Sequence, residues 1–231
     1  MHREISKIKK YEGKAFIIKN FLTKDQIKKI QKLYIDLPIE IDNKRQKILK
    51  KKWPISILKK MQKLFIKKLR KKIGIFKIDN PKTKNGHESF GLFQESYKPV
   101  GLHVDTGFNF KKILFKQFLL PLSSNGGTVV FKNRFYGCST TFSIDPKELR
   151  AKGFNKRSSQ HLKIFKGKNF DKKKHGKYLK HENIKNLKGL EIEIVYKWKL
   201  GDILIFDRSQ LHCSTSSLKN KKIGFSGLTR K

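Results

Sequence analysis

The chain is poor in cysteine and has no long apolar run. Its 231 residues include only two cysteines, Cys138 and Cys213, which is too few for the disulfide framework of a small secreted domain. No apolar run approaches the roughly 18 residues that a membrane helix needs, and the first ten residues lack the apolar segment of a signal peptide. We therefore expect a cytoplasmic protein in a reducing compartment, with no membrane partner.

Acidic residues are scarce as well. The chain has 18 Asp and Glu against 56 Lys and Arg, which gives a formal net charge of +38. Such an excess favours polyanion partners, because clustered basic residues neutralise phosphates. However, only eight of these residues are Arg, whereas base and phosphate recognition favours the Arg fork, and the Lys are spread through every segment. We favour a compositional origin for the charge and keep a nucleic-acid partner as the alternative.

The N-terminal third has the signals of helices. Thr23, followed three residues later by Gln26, forms a capping box at the start of an apolar stripe with helical spacing. A second stripe of this kind covers residues 57–73. We expect a helical region at residues 1–88 that packs on the core.

From about residue 89 the pattern changes to short apolar segments separated by Gly, Asn, Ser and Pro. Many short strands in succession predict an antiparallel sandwich or barrel, which we place at residues 89–231. A basic, polar insertion at about 133–190 interrupts them, and an insertion of this length is typically a lid or a binding loop. We expect its three histidines, His161, His175 and His181, to be exposed. The predicted strands are SFGLFQESY, VGLHVD, ILFKQFLLPL, GTVVF, LEIEIVYKW, DILIFD and IGFSGLT.

Two short segments carry a candidate metal site. In GLHVDTG, His103 and Asp105 point the same way, because a strand alternates its side chains between two faces. In WKLGDILIFDRSQLHCS, a short loop after the apolar strand delivers His212. Two imidazoles and one carboxylate on one face of an octahedral metal leave three open positions, as in non-haem Fe(II) oxygenases. We therefore predict that His103, Asp105 and His212 bind a metal ion and form the catalytic centre.

Four features, in this order, resemble the Fe(II)/2-oxoglutarate-dependent dioxygenases, nearest to their phytanoyl-CoA and prolyl hydroxylase branches. They are the entry helix FLTKDQIKKI, the segment Tyr97-x-x-x-Gly101-x-His103-x-Asp105, the Gly-Gly hairpin in SNGGTVVF, and GDILIFDRSQLH. The resemblance covers roughly residues 15–231, with the insertion unmatched. It implies a mainly β protein with N-terminal helices, whose core is a double-stranded β-helix (a cupin-like jelly roll) with the metal at one open end.

The resemblance also implies the cosubstrates and their ligands. Members of the family hold Fe(II) and use dioxygen, and they couple the decarboxylation of 2-oxoglutarate to the hydroxylation of a C–H bond. About ten residues after the distal His they carry an Arg or Lys for the far carboxylate of 2-oxoglutarate; here that residue is Lys222, with Lys221 and Arg230 as alternatives. Gln117 is a candidate for a second cosubstrate contact. Asp105 stands where halogenating relatives have a small residue, which favours hydroxylation.

The substrate itself is not specified by the fold. We expect a small molecule, with the insertion contributing much of its pocket. The alternatives are an oxygenase acting on nucleic acid or another polyanion, a cupin-like metalloenzyme that does not use 2-oxoglutarate, and a non-catalytic basic nucleic-acid-binding protein. The cupin alternative needs three or more His with a Glu in one cluster, which the sequence lacks, and the aromatic-plus-basic motifs of RNA-binding modules are absent.

Overall fold

The computed structural model of the chain describes residues 2–106, 112–156, 171–218 and 220–231. The helices within these ranges are α1 (His2–Lys9), α2 (Lys24–Asp36), α3 (Lys59–Ile73), α4 (Pro146–Leu149), α5 (Lys172–Tyr178) and α6 (Ile184–Leu187). The strands are β1 (Phe16–Ile18), β2 (Ile41–Asn43), β3 (Ile48–Pro54), β4 (Lys77–Ile78), β5 (Ser89–Ser96), β6 (His103–Val104), β7 (Leu114–Pro121), β8 (Gly127–Arg134), β9 (Thr140–Ser143), β10 (Phe154–Lys156), β11 (Ile192–Lys197), β12 (Ile203–Asp207), β13 (Gln210–Ser214) and β14 (Lys222–Arg230).

Eight of these strands form the core as two four-stranded antiparallel sheets. The major sheet has the order β12-β7-β14-β5 and the minor sheet the order β6-β13-β8-β11. Side chains of both sheets meet in one apolar cluster, in which Val130 and Tyr196 of the minor sheet pack with Leu204 and Phe206 of the major sheet. Apart from β8 and β11, which both lie in the minor sheet, successive core strands alternate between the two sheets. The core is therefore a jelly roll, and the predicted fold class is confirmed.

The N-terminal helices cover the outer face of the major sheet. The capping box predicted at Thr23 is present, with Gln26 as its reciprocal partner, and it starts α2. The largest apolar cluster joins buried residues of α2 and α3 to Phe118 on β7 and Phe225 on β14. Since alternate residues of a strand face opposite ways, the neighbours of Phe225 on β14, such as Ser226, face the barrel interior.

Both sheets are wider than the sequence indicated. β1 pairs with β12 at one edge of the major sheet, while β3 and β2 continue the other edge beyond β5. Within the predicted insertion, β9 and β10 extend the minor sheet beyond β6. The first 88 residues thus contribute strands as well as helices, and their division from the core at residue 88 stays a prediction.

The insertion packs on the minor sheet in its described part, whereas residues 157–170 lie outside the described ranges. Leu179 and Leu187 are fully buried against Val129, Phe131 and other residues on the outer face of the minor sheet. The expectation of exposed histidines is wrong for two of the three. His175 is buried and His181 is half-buried beside the main cavity, while His161 lies outside the described residues.

All helices in the described part of the chain are too short or too polar to cross a membrane.

Phe65 of α3 tests whether the helical layer stabilises the sheet. Its ring is fully buried, 4.8 Å from the ring centroid of Phe21 and 5.2 Å from that of Phe118. Because the change leaves a cavity, we expect Phe65→Ala to lower the free energy of unfolding by about 3–5 kcal/mol in urea titration. The exposed Lys63→Ala, on the same helix, should change it by less than about 0.5 kcal/mol. Equal stability of the two variants would contradict this packing.

Candidate metal centre

The candidate site begins with two paired strands of the minor sheet. His103 on β6 lies directly opposite His212 on β13, and their ring centroids are 4.1 Å apart. The sequence predicted a short loop before His212 and no strand at it; the connection is Arg208 and Ser209 alone, and His212 lies on strand β13. On β13 the side chain of Cys213 packs in the apolar cluster on the outer face, so His212 and Ser214 face the barrel interior.

The three predicted ligands converge on one point. Asp105 Oδ2 lies 3.4 Å from His212 Nε2 and 3.7 Å from His103 Nε2, and all three ligand atoms lie within 4.8 Å of one another. His212 is almost fully buried, whereas 42% of the Asp105 side chain is exposed to the cavity that opens beside it. The structure therefore brings together the three residues that the sequence singled out.

The backbone fixes which imidazole nitrogen faces the centre. His103 Nδ1 lies 2.7 Å from the carbonyl oxygen of Gly101, and His212 Nδ1 lies 3.1 Å from that of Gln210. A carbonyl oxygen only accepts, so each Nδ1 carries the proton and each Nε2 presents a lone pair. Burial, together with the neighbouring His212 ring, lowers the pKa of His103 to about 4, so this ring is neutral near pH 7.

Asp105 supplies the negative charge of the site. Burial alone would raise the pKa of its carboxyl group, but the neighbouring imidazoles of His212 and His103 and the ammonium of Lys50 outweigh burial and hold the pKa well below its usual range. Gln117 Nε2 also donates to Asp105 Oδ2 over 3.0 Å. The carboxylate is therefore ionised and held in place.

These side chains fit a divalent metal ion. Three acceptor atoms with no proton between them point at one another, which is unfavourable in a buried site unless a cation lies among them. Ligand atoms about 2.1 Å from a shared ion lie roughly 3–3.5 Å apart at octahedral to tetrahedral angles, close to the two separations from Asp105. Two imidazoles and one carboxylate, with the remaining side facing the cavity, match the donor set of a non-haem iron centre.

Lys222 and Gln117, the two residues predicted to bind the cosubstrate, lie at different places in the barrel interior. Lys222 starts β14, is 5% exposed, and donates to the hydroxyl of Ser214, two residues beyond His212 on the same face of β13. Gln117 on β7 also faces the interior, but its described hydrogen bond goes to Asp105. The two side chains therefore lie on different strands of one interior surface, with Gln117 nearer the ligands.

The alternatives to Lys222 are engaged elsewhere. Lys221 Nζ lies 3.2 Å from Glu95 Oε2, on the face of the major sheet that carries the helices. Arg230, at the far end of β14, has its Nε 3.5 Å from Asp79 Oδ1. In the part of the chain that the structure describes, no carboxylate lies within ion-pair distance of Lys222.

Sequence reasoning missed Arg208, which is 1% exposed beside the site. Its Nη2 donates to the carbonyl oxygen of Thr106 over 2.6 Å, and its Nη1 lies 2.8 Å from Asp79 Oδ2. Arg208 thus ties down the backbone that directly follows Asp105. No local sequence pattern predicts a role for Arg208, because it belongs to the two-residue connection and its partner Asp79 is far away in sequence.

No family model matches the sequence, and neither does any curated protein. Among solved structures, a 2OG-Fe(II) oxygenase family oxidoreductase from Burkholderia pseudomallei aligns with 98% of this chain and 89% of its own, with a TM-score of 0.53 and 9% identity. HygX from Streptomyces hygroscopicus, solved with nickel, 2-oxoglutarate and hygromycin B, covers 100% of this chain and 87% of its own, with a TM-score of 0.52 and 9% identity. The epimerase SnoN, solved with Fe³⁺, alpha-ketoglutarate and nogalamycin RO, has a TM-score of 0.51 and 6% identity over 100% of this chain and 84% of its own.

At these identities the alignments show a shared fold. The fold predicted from the resemblance to the 2-oxoglutarate oxygenases is therefore confirmed, and the chemistry of this chain has to be argued from its own residues.

Removing one ligand tests the candidate metal centre. We expect tag-free wild-type protein to bind one Ni²⁺ or Mn²⁺ per chain in isothermal titration calorimetry, and His212→Ala to lose this binding, because only two of the three ligand atoms remain. His87→Ala is the matched control, since His87 is exposed and far along the chain from the site. Circular dichroism should show that both variants are folded. Unchanged stoichiometry in His212→Ala would show that the metal binds elsewhere.

Proposed function

We propose that this protein is a non-haem Fe(II) oxygenase that couples the oxidative decarboxylation of 2-oxoglutarate to the hydroxylation of a small-molecule substrate. The observation that carries the proposal is the convergence of two unprotonated imidazole nitrogens and one carboxylate oxygen at a cavity inside a jelly roll. This donor set leaves coordination positions open for a bidentate 2-oxo acid and for dioxygen.

His103, Asp105 and His212 would hold the iron, which when bound supplies the activation of dioxygen and of the 2-oxo acid. The backbone carbonyl oxygens of Gly101 and Gln210 orient the two imidazoles, because each accepts the proton of one Nδ1. Gln117 orients the carboxylate through its bond to Asp105 Oδ2. We therefore assign Gln117 a positioning role, in place of the cosubstrate contact expected from the sequence.

Lys222 would bind the 5-carboxylate of 2-oxoglutarate. Its ammonium is buried, lies 4.9 Å from the ring centroid of Trp198, and bonds to the neutral Ser214 hydroxyl. A buried cation without an anion is costly, and a ligand carboxylate would offset that cost. The hydroxyl of Ser214 is placed to donate to the same carboxylate. Lys221 and Arg230 are less suitable, because each already has a carboxylate partner.

The size and position of the cavity support a small-molecule substrate. It has a volume of about 1090 Å³ and reaches from Asp105 to the insertion at His181 and Glu182. This volume lies just above the range of about 300–1,000 Å³ that is typical of small-molecule sites. HygX and SnoN, which share the fold, were solved with the small molecules hygromycin B and nogalamycin RO.

Succinate formation tests the proposed function directly. Purified protein incubated with Fe(II), ascorbate and 2-oxoglutarate should form succinate, with more formed when a metabolite panel contains the substrate. His212→Ala and protein treated with a metal chelator should form none, because the metal is not held. Failure of the wild type to form succinate, together with no binding of 2-oxoglutarate to the Ni²⁺-loaded protein, would contradict the proposal.

The cosubstrate cation can be tested separately. We expect Lys222→Ala to raise the 2-oxoglutarate KM at least about tenfold, or roughly 1.4 kcal/mol, with metal affinity barely changed. Lys222→Met keeps the volume of the side chain and should show the same loss if the charge is what matters. Arg230→Ala is the control and should leave the KM within about twofold. A raised KM in Arg230→Ala with an unchanged KM in Lys222→Ala would show that Arg230 binds the 5-carboxylate of 2-oxoglutarate.

The same ammonium predicts a pH dependence. Burial lowers the pKa of Lys222 to about 8, so the side chain is charged below that pH and increasingly neutral above it. The affinity of Ni²⁺-loaded protein for 2-oxoglutarate should therefore be constant from about pH 6.5 to 7.5 and fall about tenfold per unit well above pH 8. Calorimetry across this range measures the profile. Lys222→Met should bind weakly with no such decline; an identical decline in this variant would contradict the assignment.

A further inference from the structure

The cavity extends beyond the metal site, between one edge of the major sheet and one edge of the minor sheet. One wall is formed by β5 and β3 of the major sheet, and the other by β6, β9 and the start of β10 in the minor sheet. The substrate would therefore meet side chains of β3, which lies outside the eight core strands. This wall carries Lys50, which is neither a metal ligand nor part of the apolar core.

Lys50 of β3 faces into this cavity. Ile48, Lys50 and Lys52 line it, whereas the side chain between the last two, Lys51, bonds to the carbonyl oxygen of Tyr34 in the helical layer over 2.8 Å. This is the alternation expected of a strand with one face on the core and one on a cavity. The register places Lys50 beside Gln94 of β5, which also lines the cavity.

Among the cations that line the cavity, Arg45 and Lys98 are exposed. The half-buried Lys50 differs from Lys52, Lys112 and Arg208 because, within the described ranges, its ammonium has no partner. Lys52 Nζ lies 3.7 Å from Glu40 Oε2, Lys112 Nζ lies 2.6 Å from Asp79 Oδ1, and Arg208 shares the same Asp79. In the described ranges, by contrast, no hydrogen bond or ion pair joins the ammonium of Lys50 to another residue.

The carboxylates across the cavity do not compensate this charge. Glu182 accepts the backbone N–H of Leu102 over 2.5 Å and the side-chain amide of Asn186 over 3.0 Å. Glu148 accepts the hydroxyl of Ser143 over 2.6 Å. These acidic groups are already engaged with neighbours on their own wall, so the ammonium of Lys50 remains available to a ligand.

Lys50 shares its cavity with the metal site, because Lys50, His103 and Asp105 all line it. A group bound to Lys50 would therefore lie near the open side of the ligand set. Anionic groups gain most from such a cation, because opposite charges attract more strongly beside a half-buried ammonium than in bulk water.

We propose that the substrate is an acid whose carboxylate or phosphate group binds Lys50, and that this contact directs the rest of the molecule toward the metal site. The inference rests on the proposed function and specifies its substrate class. Lys50 is then a specificity-determining residue, distinct from Lys222, which lies on another strand and bonds to Ser214. A neutral substrate would leave the ammonium of Lys50 unpaired in the cavity.

Matched probes test this inference. Protein loaded with Ni²⁺ and saturating 2-oxoglutarate is titrated with phenylacetate, with phenyl phosphate and with the neutral phenylacetamide. We expect at least one anion to bind wild type tenfold or more tightly than the amide, and Lys50→Met to abolish that preference. The preferred anion distinguishes a carboxylate from a phosphate substrate. Lys52→Met is the matched control, because Lys52 faces the same cavity but is paired with Glu40; it should keep the preference.

Three outcomes would overturn the inference. The first is that Lys50→Met keeps the preference for the anion, and the second is that wild type binds the amide as tightly as both anions. The third is that Lys50→Met lowers the affinity for 2-oxoglutarate and leaves the affinities for the probes unchanged, which would make Lys50 a cosubstrate ligand. The binding of Ni²⁺ and 2-oxoglutarate is measured first in the same samples. Its absence in wild type would contradict the proposed function, whereas normal binding with no effect of Lys50→Met on the probes would contradict this inference alone.

Discussion

The pairing of β6 with β13 is the constraint on which the candidate site depends. It sets His103 directly opposite His212, and the strand alternation then turns Asp105 to the same side. Each imidazole donates a hydrogen bond from its Nδ1–H to a backbone carbonyl oxygen. The Nε2 lone pairs of both rings and an oxygen of Asp105 therefore face one another in the barrel. A divalent cation is the simplest partner for such a group of acceptors. A shift of one residue in this pairing would turn one imidazole out of the barrel.

The surrounding structure keeps this pairing in place. The connection between β12 and β13 is only two residues long, and Arg208 within it bonds to Thr106, directly after Asp105. The side chain of Cys213 packs on the outer face of the minor sheet, where burial raises the pKa of its thiol, so it acts as an apolar packing residue. The major sheet in turn depends on the aromatic layer around Phe65 and Phe225, which holds the helices against it.

The features that could be predicted from the sequence are those that depend on local patterns. The capping box at Thr23, most core strands and the three converging side chains could be read from spacing, because strand and helix periodicities are local properties. The resemblance to a known family then gave the jelly roll. The strand at His212 was not predicted, because QLHCS is short and its extended conformation comes from pairing with β6 and β8.

Other features depend on contacts between distant residues, which a single sequence does not show. The strands β1–β3 join edges of the major sheet formed by residues up to about 190 positions away. Arg208 and Asp79 form an ion pair across 129 positions. His175 and His181, expected to be exposed, are covered because the insertion folds back on the minor sheet. In each case the local pattern was ambiguous and tertiary packing decided the result.

The high Lys content explains why charge alone cannot identify the functional cations. Among 48 Lys residues, an ammonium near any chosen position is expected by chance, and many of them lie on the surface or pair with a carboxylate. Lys222 and Lys50 differ in another respect, because both face the interior and neither has a carboxylate partner within the described ranges. An unpaired cation turned away from bulk solvent is costly unless a ligand compensates it. Under the proposed function, Lys222 would bind an anionic group of the cosubstrate, and the half-buried Lys50 would bind an anionic group of the substrate.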